Sequence, residues 1–425
     1  FPKQTYNITD FGAKPDNETE PCHEAINQAI LKCSLAGGGT VVVPQGTFYT
    51  GPITLKSNVN FHLQEGGVLK FLTDQSLFFP GVITRWEGLD CYNARPLIYA
   101  YGETNIAITG KGTIDGQGSN ETWWPMCGAP KYGWKEGMVA QRNGGRERLL
   151  MYGETSTPVY KRIMTPEDGL RPQLINLYAC STVLIEDVTL LNSPFWVIHP
   201  LFCESLIVRG VNIFNRGPNG DGCDPESCKN VLIENCTFDT GDDCIAIKSG
   251  RNADGRKWNI PSENIIVRNC KMKNGHGGVV IGSEISGGYR NLFVENCQMD
   301  SPNLDRVIRI KTSTCRGGII ENVFVRNITV GQCREAVLRI NLQYENREQC
   351  NRGFTPTVRN VHLKNVTCQK SRLGVLIIGL DDDQHVYNIS VEDSHFNNVA
   401  KGGNDIKGAH DVTLKNLYIN GELVK

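Results

Sequence analysis

One five-residue phrase recurs nine times from residue 183 onward and constrains the fold more than any other feature. Each copy reads apolar, any residue, apolar, charged, and then Asn, Asp or Gly. The copies end 23 to 38 residues apart, at 183–187, 206–210, 231–235, 265–269, 292–296, 323–327, 361–365, 389–393 and 412–416. Alternation with a period of two is typical of a half-buried strand, and a final Asn or Gly is typical of a corner. The repeats therefore predict an all-β right-handed parallel β-helix, a solenoid whose turns stack on one another.

A β-sandwich is the main structural alternative, because it also contains short strands at regular spacing. It would not repeat one phrase nine times at a solenoid period, so we prefer the β-helix. A chain of 425 residues suggests two or three domains by length alone, but repeat folds do not follow that rule. We expect a single β-helix domain over residues 1–425.

Two segments fall outside the repeat pattern. Residues 19–36 open on Thr-Glu-Pro and predict a helix that caps the open N-terminal end of the coil. Its predicted apolar face consists of Ala25, Ile26, Ala29, Ile30 and Cys33. Residues 118–173 interrupt the repeat and predict a long excursion outside the solenoid. The aromatic and methionine side chains of this excursion either line a groove or pack the loop onto the coil, namely Trp123, Trp124, Met126 and Trp134.

Composition excludes several functional classes. The 44 Lys and Arg residues balance 45 Asp and Glu residues, and a net charge of −1 removes the basic excess expected of a nucleic-acid or membrane-surface binder. No apolar run approaches the 18 or more residues of a membrane span. We expect a monomer that binds no nucleic acid and spans no membrane. A first residue Phe1 suggests a secreted or periplasmic mature chain without its leader.

The 16 cysteines have two interpretations. They fit the disulfides of an exported protein. Four of them, however, share one position of the repeat, where stacked buried thiols explain them equally well: Cys236, Cys270, Cys297 and Cys368.

Charged residues recur at equivalent positions of five consecutive turns. Aligning Cys244, Gly278, Val307 and Val337 places two columns of apolar residues in the core: Ile245, Val279, Ile308 and Leu338, and Ile247, Ile281, Ile310 and Ile340. By the period-two rule the intervening side chains point outward. They form a ladder of mostly cationic residues that could bind an anionic polymer: Lys248, Arg309, Lys311, Arg339 and Asn341.

An acid cluster lies beside this ladder. Stacking of neighbouring turns about 4.8 Å apart brings Asp221, Asp242 and Asp243 together with His276. Each residue alone is consistent with ordinary turn chemistry. Clustered carboxylates, however, cannot all ionise freely, so one should have a raised pKa and act as an acid while another acts as a base. Cleavage of a glycosidic bond requires this division of labour.

These motifs resemble glycoside hydrolase family 28, the polygalacturonases. The motif usually written Asn-Thr-Asp is Asn219-Gly-Asp221, and three others follow in the family's order: Gly241-Asp-Asp243, Gly275-His-Gly277 and Arg309-Ile-Lys311. The resemblance covers nearly the whole chain and implies the same β-helical fold. It also implies a pectic polysaccharide or oligogalacturonide substrate, α-linked galacturonate cleavage with inversion, and no metal or other cofactor.

The resemblance assigns roles to individual residues. Asp242 would be the general acid, Asp221 and Asp243 would activate water, and His276 would orient or tune the acid. Arg309 and Lys311 would hold the galacturonate carboxylate. Further substrate-binding candidates are Asn219, Lys248 and, without a motif to support it, Tyr344.

Two departures from the family pattern bear on specificity. Gly220 replaces the usual threonine of the first motif, and an insert occupies residues 251–258. This insert resembles the added loops of exo-acting bacterial members, which close one end of the groove, so we expect release of single uronic acids from a chain end. Three alternatives remain: a rhamnogalacturonan-cleaving hydrolase, a calcium-dependent pectate lyase, and a non-catalytic polysaccharide-binding β-helix.

Overall fold

A computed structural model describes residues 1–344, 348–400 and 402–425. The chain winds into a right-handed coil of stacked parallel strands. Two stacks of the coil share one large sheet, whose strands pair from turn to turn. The first stack comprises Thr5–Asn7, Gly39–Val43, Val59–Leu63, Thr104–Thr109, Ser181–Glu186, Glu204–Arg209, Lys229–Glu234 and Ser262–Arg268. The second comprises Gly46–Thr50, Gly67–Phe71, Thr113–Asp115, Thr189–Leu191, Asn212–Asn215, Thr237–Thr240 and Lys271–Met272.

These two stacks merge toward the C-terminal end. There each turn contributes one long strand that bends in its middle: Tyr289–Met299, Ile319–Val330, Thr357–Cys368, Val386–Phe396 and His410–Ile419. A short antiparallel strand, Glu422–Leu423, pairs with the last of them. The predicted fold class is therefore confirmed.

A third stack forms the face that carries the candidate site. It consists of a four-stranded part, Ile53–Thr54, Ile98–Tyr101, Ile175–Tyr178 and Ile198–Leu201, and a six-stranded part, Ile245–Ile247, Val279–Gly282, Arg306–Lys311, Ala336–Asn341, Leu373–Ile378 and Asp405–Lys407. Single-residue bridges at Cys223 and Glu226 join the two parts. The segment that contains Asp221 therefore lies where single-residue bridges replace the paired strands of the third stack.

The two predicted core columns are confirmed by the strand register. Ile245 pairs with Val279, which pairs with Ile308, and Ile308 pairs with Leu338. All four are at most 2% exposed. This register aims the residues between the columns away from the core, toward the loops that cover this face.

Asparagines turn the corners between strands. The final residue of all nine repeat phrases has a positive φ, from 51° to 67°, in the left-handed region that Asn, Asp and Gly tolerate best. Their side chains also bond from turn to turn. Asn327 Nδ2 donates to Asn296 Oδ1 (3.2 Å), and Asn365 Nδ2 donates to Asn327 Oδ1 (2.8 Å). We call this stack the asparagine ladder. A second ladder, through Asn264, Asn291, Asn322, Asn360 and Asn388, starts the same strands.

A helix over His23–Leu35 packs across the N-terminal end of the coil. It buries the five residues that the sequence placed on one face, and Gly37 to Gly39, all at positive φ, follow it. The helix therefore covers apolar side chains that the first turn would otherwise expose.

Residues 118–173 leave the coil and form a helix, Gly145–Glu154, with short 3₁₀ segments at Trp124–Cys127, Pro130–Tyr132, Val159–Lys161 and Pro166–Asp168. Further 3₁₀ segments lie at Ile8–Phe11 and Gln75–Phe78, and a third α-helix spans Asn252–Trp258. Trp123 and Met126 are buried against the main core, and Trp124 Nε1 donates to Ser193 O (2.9 Å). Trp134 bonds within the loop to Met138 O. Trp123, Trp124 and Met126 thus pack the excursion onto the coil, and none of the four side chains lines the cavity described below.

An antiparallel hairpin, Val82–Trp86 and Leu89–Asn93, was not predicted. Trp86 and Leu89 pack with Leu149 and Leu150 of the excursion helix, and with Trp196 of the coil, in a second small core. The hairpin and the excursion are thereby fixed to each other and to the coil.

All 16 cysteines lie in the described part of the chain. Cys315 and Cys350 form a disulfide, and the other 14 are free and buried. Cys236, Cys270 and Cys297 are free and lie at equivalent positions of successive turns, so the stacked-thiol interpretation applies to them. It is wrong for Cys368, because Cys297 pairs with Ile328 and Ile328 with Val366, whereas Cys368 pairs with Val330. Among the described helices, none has the length and apolar character needed to cross a membrane.

Candidate active site

A cavity of about 760 Å³ opens on the face formed by the third stack. Loops from the excursion, the hairpin and the 251–258 insert surround it. Eight of the nine residues predicted for the site line this cavity: Asn219, Asp221, Asp242, Lys248, His276, Arg309, Lys311 and Tyr344. The ninth, Asp243, lies beneath them and bonds to two of them. The structure therefore brings the predicted residues together.

The three aspartates come from two neighbouring turns. Gly222 N, directly after Asp221, donates to Asp243 O (3.1 Å). One carboxylate oxygen of each aspartate lies within 4.8 Å of those of the other two. Asp221 and Asp243 are almost fully buried, whereas the Asp242 side chain is 20% exposed. Asp242 is therefore the carboxylate that a substrate in the cavity can reach most directly.

His276 lies beside the exposed edge of this cluster. Its Nδ1 is 3.2 Å from Asp242 Oδ1. The negative charge of Asp242 outweighs burial and raises the pKa of His276 to about 9. Burial opposes ionisation of Asp242, but His276 and then Lys311 lower the pKa of its carboxyl group below the ordinary range. An imidazolium–carboxylate pair therefore holds a proton at the cavity surface.

Asp243 is bound by two cations. Arg309 Nη1 lies 3.1 Å from Asp243 Oδ1, and Lys311 Nζ lies 2.9 Å from Asp243 Oδ2. Burial raises the pKa of Asp243, but these two cations outweigh it and the net shift is downward. Tyr344 lies over both cations, with its ring centroid 5.7 Å from Arg309 Cζ and 5.1 Å from Lys311 Nζ. Its position supports the motif-free assignment of Tyr344 to this site.

The raised carboxyl pKa that clustering predicted falls on Asp221. Burial, together with the charges of Asp224, Asp242 and Asp243, raises the pKa of Asp221 well above its usual value. Burial also raises the pKa of Asp224, whose carboxylate oxygens have no hydrogen-bond partner among the described residues. In the free protein the pKa of the Asp221 carboxyl group is thus raised and that of Asp242 is lowered. The clustering argument gives the raised pKa to the acid, which the family resemblance places at Asp242. The order of the two pKa values is therefore the reverse of the expected one.

Asn219 is held by a buried arginine that the sequence did not indicate. Arg171 Nη2 donates to Asn219 Oδ1 (2.6 Å), and Arg171 Nη1 donates to Pro194 O and Pro218 O. A steric reason explains the glycine at the next position, Gly220. A Cβ there would lie 2.6 Å from Gly217 O and 2.7 Å from Asn215 O. The backbone of this chain does not accept a threonine at that position.

The cationic ladder is less accessible than an outward-facing set of residues suggests. Lys248, Arg309 and Lys311 point away from the core, as expected, but each is at most 6% exposed because loops cover them. Lys248 Nζ bonds to Gly282 O (2.6 Å) and Glu284 Oε1 (3.1 Å). Lys248 therefore already has protein partners, whereas Arg309 and Lys311 share Asp243 at the cavity.

Sequence reasoning missed much of the cavity wall, including Glu87, Arg146, Trp196 and Glu284. Glu87 is at the hairpin turn and accepts from Arg146 Nε (3.2 Å). Trp196 offers an aromatic surface, and Lys248 Nζ lies 5.1 Å from its ring centroid. No local motif marks these residues, because their contacts join segments far apart in the chain.

The aspartates also have the spacing of a possible cation site, since their oxygens lie within 4.8 Å of one another. Oxygen ligands of this kind suit Ca²⁺. However, Arg309 and Lys311 already neutralise Asp243, and His276 neutralises Asp242. The donor set is therefore a poor match for a divalent ion.

Comparison with known proteins gives a consistent result. The model of "Glycosyl hydrolases family 28" matches residues 164–378, half of the chain. The structure of a hyperthermoactive exopolygalacturonase from Thermotoga maritima is 42% identical, with a TM-score of 0.95, and the match covers all of this chain and 93% of that one.

Two curated proteins extend the comparison. A probable polygalacturonase of Vitis vinifera is 31% identical over 76% of this chain and 60% of its own length. An exo-poly-alpha-D-galacturonosidase of Dickeya chrysanthemi is 28% identical over 86% of this chain and 62% of its own length. The chain thus spans about three fifths of the length of these relatives. The family match and the likeness over the whole coil together establish that this chain belongs to family 28 of the glycosyl hydrolases.

Proposed function

We propose that the protein hydrolyses α-linked galacturonic acid in pectic polysaccharide and releases it from a chain end. The observation that carries this proposal is the arrangement of three carboxylates, a histidine and two cations in one cavity. The carboxylates and histidine supply acid–base chemistry, and the cations suit a uronate carboxylate. The names of the relatives support the same substrate class.

Asp242 is proposed as the general acid because it is the most exposed of the three carboxylates. Its proton is stored on His276 Nδ1, 3.2 Å away. When an anionic substrate enters and displaces water, the added negative charge favours the neutral form of Asp242. The proton then moves from His276 to Asp242 and onward to the leaving oxygen, which leaves with the electrons of the glycosidic bond.

Asp221 and Asp243 are proposed to activate the attacking water. Oxygens no more than 4.8 Å apart can both accept from one water at ordinary hydrogen-bond distances of about 2.8 Å. One carboxylate accepts a proton as the water oxygen bonds to the anomeric carbon. Since burial raises the pKa of Asp221, this base is ionised only above the ordinary aspartate range.

The spacing of the carboxylates bears on whether cleavage inverts or retains the configuration of the anomeric carbon. Inverting enzymes typically separate their two carboxyl groups by about 6.5–9.5 Å and retaining enzymes by about 5–5.5 Å. The nearest carboxylate oxygens here all lie within 4.8 Å of one another, which is closer to the second range. We nevertheless propose inversion, because a third carboxylate lets two of them hold water without a wide gap. Proton NMR of the first product should show the β-anomer; an initial α-anomer would indicate retention.

The pKa order favours a second assignment, in which Asp221 is the acid and Asp242 the base. Aryl galacturonides separate the two assignments, since a good leaving group needs little protonation. Replacing the acid by Asn should cost far less activity on the aryl substrate than on the polymer. We expect this partial recovery for Asp242→Asn and not for Asp221→Asn.

Exo action is supported by the way three segments close the cavity. The hairpin turn contacts the insert, because Arg251 N donates to Gly88 O (2.9 Å), and Glu87 bonds to Arg146 of the excursion. Asp254 of the insert pairs with Arg162 of the excursion (2.5 Å). The wall is thus shared by three segments. Shortening the 251–258 loop alone, which would open the groove if that loop formed the wall, should leave most of it in place.

One incubation series tests the function. Homogalacturonan and rhamnogalacturonan are incubated separately, and the products are sized over time while viscosity is recorded. Exo action predicts monomer from the first minutes and slow loss of viscosity from homogalacturonan. Rapid thinning with a ladder of oligomers would show internal cleavage, and cleavage of rhamnogalacturonan alone would favour that alternative. Unsaturated, ultraviolet-absorbing products lost on chelation would indicate a lyase, and no products would indicate a binding protein.

A further inference from the structure

Arg251, at the start of the insert, has unused hydrogen-bond donors beside the cavity. Its side chain is 1% exposed, yet it lines the cavity. Nη2 lies 3.5 Å from Glu87 Oε2, while Nε and Nη1 have no hydrogen-bond partner among the described residues. Leaving buried donors unpaired is costly, especially on a charged group. Arginine that is both buried and underused at a cavity is therefore a candidate for binding an anion.

The charges around Arg251 do not neutralise it completely. The described acids near it each have another cation within 3.2 Å: Glu87 has Arg146, Glu284 has Lys248, and Glu348 has Arg316. Burial opposes the charge of Arg251, but these three glutamates outweigh it and raise its pKa. Arg251 thus stays charged and is one cation in excess of the three local pairs.

Arg251 and the acid cluster lie on either side of one short strand. Asp242 and Asp243 precede the strand Ile245–Ile247, and Arg251 follows it. Three extended residues cover about 10 Å, which is longer than one pyranose ring. Tyr344 lies over Lys311 and also interacts electrostatically with Arg251. A bound chain would therefore extend from the acid cluster past Tyr344 to Arg251.

Arg251 also belongs to the closed end of the cavity. Its backbone N–H bonds to Gly88 O, and a Cβ on Gly88 would lie 2.9 Å from Arg251 Cβ. The hairpin turn therefore packs directly against Arg251 and forms the cavity wall beside it. The sugar that reaches Arg251 is a terminal one.

We propose that Arg251 binds the carboxylate of the terminal uronate, beyond the sugar held by Arg309 and Lys311. Arg251 is then a specificity-determining residue that selects chain ends with a free carboxylate. The inference rests on the proposed function, because it takes an oligogalacturonide as the substrate. Each free N–H of Arg251 can donate one charge-assisted hydrogen bond to the incoming carboxylate.

The test compares two substrates and three variants. The substrates are trigalacturonate and an analogue in which the carboxylate of the terminal unit at the attacked end is reduced to an alcohol. The variants are Arg251→Gln, Arg251→Lys, and Lys257→Gln as a control, since Lys257 is an exposed cation on the same insert. Thermal unfolding of each variant is measured in parallel.

We expect Arg251→Gln to lower kcat/KM for trigalacturonate roughly tenfold to a hundredfold, the effect of one or two charge-assisted hydrogen bonds. Arg251→Lys should recover part of this loss, and Lys257→Gln should lose nothing. On the reduced analogue, wild type and Arg251→Gln should be equal within about threefold. The wild type itself should have a kcat/KM for trigalacturonate roughly tenfold to a hundredfold above its value for the reduced analogue. This comparison does not depend on the folding of any variant.

Equal losses on both substrates would show that Arg251 only supports the wall and would overturn the proposal. Equal kcat/KM values of the wild type on trigalacturonate and on the reduced analogue would overturn it as well. A binding measurement separates this proposal from the catalytic one: trigalacturonate is titrated into Asp242→Asn and into Asp242→Asn with Arg251→Gln. If wild type cleaves nothing, the hydrolase proposal fails, and a tenfold weaker affinity of the double variant still supports the carboxylate site. Equal affinities would reject it.

Discussion

The asparagine ladder and the acid cluster are both built by stacking equivalent residues of successive turns, and they differ in what is stacked. In the ladder, Asn296, Asn327 and Asn365 repeat one residue type, and the side chain of each later turn donates to that of the turn before it. In the cluster, neighbouring turns present Asp221, then Asp242 with Asp243, then His276. Repetition of one residue stabilises the coil. Replacement by unlike charges creates differences in proton affinity, and catalysis depends on those differences.

The two regions also differ in what they require of the residue at each position. A ladder position needs a residue that tolerates positive φ and offers an amide or carboxylate oxygen. A cluster position needs a particular charge at a particular distance, such as Asp243 between Arg309 and Lys311. Substitutions that are mild in the ladder should therefore be severe in the cluster.

The largest contrast should come from one substitution made in both regions. Asp242→Asn removes the proposed general acid, and we expect turnover to fall by about a hundredfold or more. Asp393→Asn makes the same chemical change at a ladder position, where φ is 51° and Asp393 Oδ1 accepts from Asn416. Asparagine keeps that oxygen, so activity should be unchanged. Initial rates on homogalacturonan and unfolding curves for both variants check this, and near-normal activity of Asp242→Asn would end its assigned role.

Neutralising a site cation should have the next largest effect. Lys311→Met removes the proposed contact to the substrate carboxylate and leaves Asp243 with Arg309 as its remaining close cation, so kcat/KM should fall roughly tenfold to a hundredfold. Lys415 is an exposed cation on the last long strand, and Lys415→Met should change activity less than twofold or so. Equal small effects at the two positions would argue against a carboxylate subsite at Lys311.

The pH dependence sharpens the contrast further, because titration matters only in the cluster. Asp221, as the proposed base, must lose its proton, and its raised pKa places the acid limb of kcat/KM above the ordinary aspartate value of about 4. His276 must keep its proton, so activity should fall again as pH passes its pKa of about 9. His276→Asn should abolish that alkaline limb and lower the maximum. An alkaline limb that persists unchanged in this variant would remove His276 from the proton path.

The smallest effect on activity should come from the ladder itself. Asn327→Ala places alanine at a φ of 58° and removes the hydrogen bonds to Asn296 and Asn365. We expect a loss of about 1–3 kcal/mol in the free energy of unfolding and unchanged kcat/KM. Asn327→Gly keeps the backbone conformation accessible and should lose less. Urea unfolding measures both variants. A large loss of activity at unchanged stability would contradict the separation of the two regions.

Much of the coil could be predicted because its signals are local and repeated. The final Asn or Asp of each phrase marks a corner without any long-range information, and the period-two pattern sets the columns through Ile245 and Ile247. Turn-to-turn stacking then places Asp221, Asp242 and His276 on one face. For these residues, order along the chain largely determines position in space.

The walls of the cavity could not be predicted in the same way. Glu87 contacts Arg146 and Arg251, which are both far from it in the sequence. The hydrogen bond to Arg146 joins residues that are 59 positions apart. Nothing near residue 87 indicates its partners. The order of the carboxyl pKa values was also inaccessible, because it depends on the burial of Asp221 and on the 3.2 Å approach of His276 to Asp242. Sequence defines which groups can titrate, and packing decides which of them holds the proton.

The ladder bonds have a consequence for where this protein can be produced. Asn327, Asn365 and Asn388 each begin an Asn-x-Ser/Thr sequon, and a glycan would be attached to the same Nδ2 that donates to the asparagine of the preceding turn. A sugar at that atom would replace one of its hydrogens and crowd the asparagine of the preceding turn. Attachment in a glycosylating host would therefore disturb these turn-to-turn bonds, whereas a host without that machinery leaves every one of them free to form.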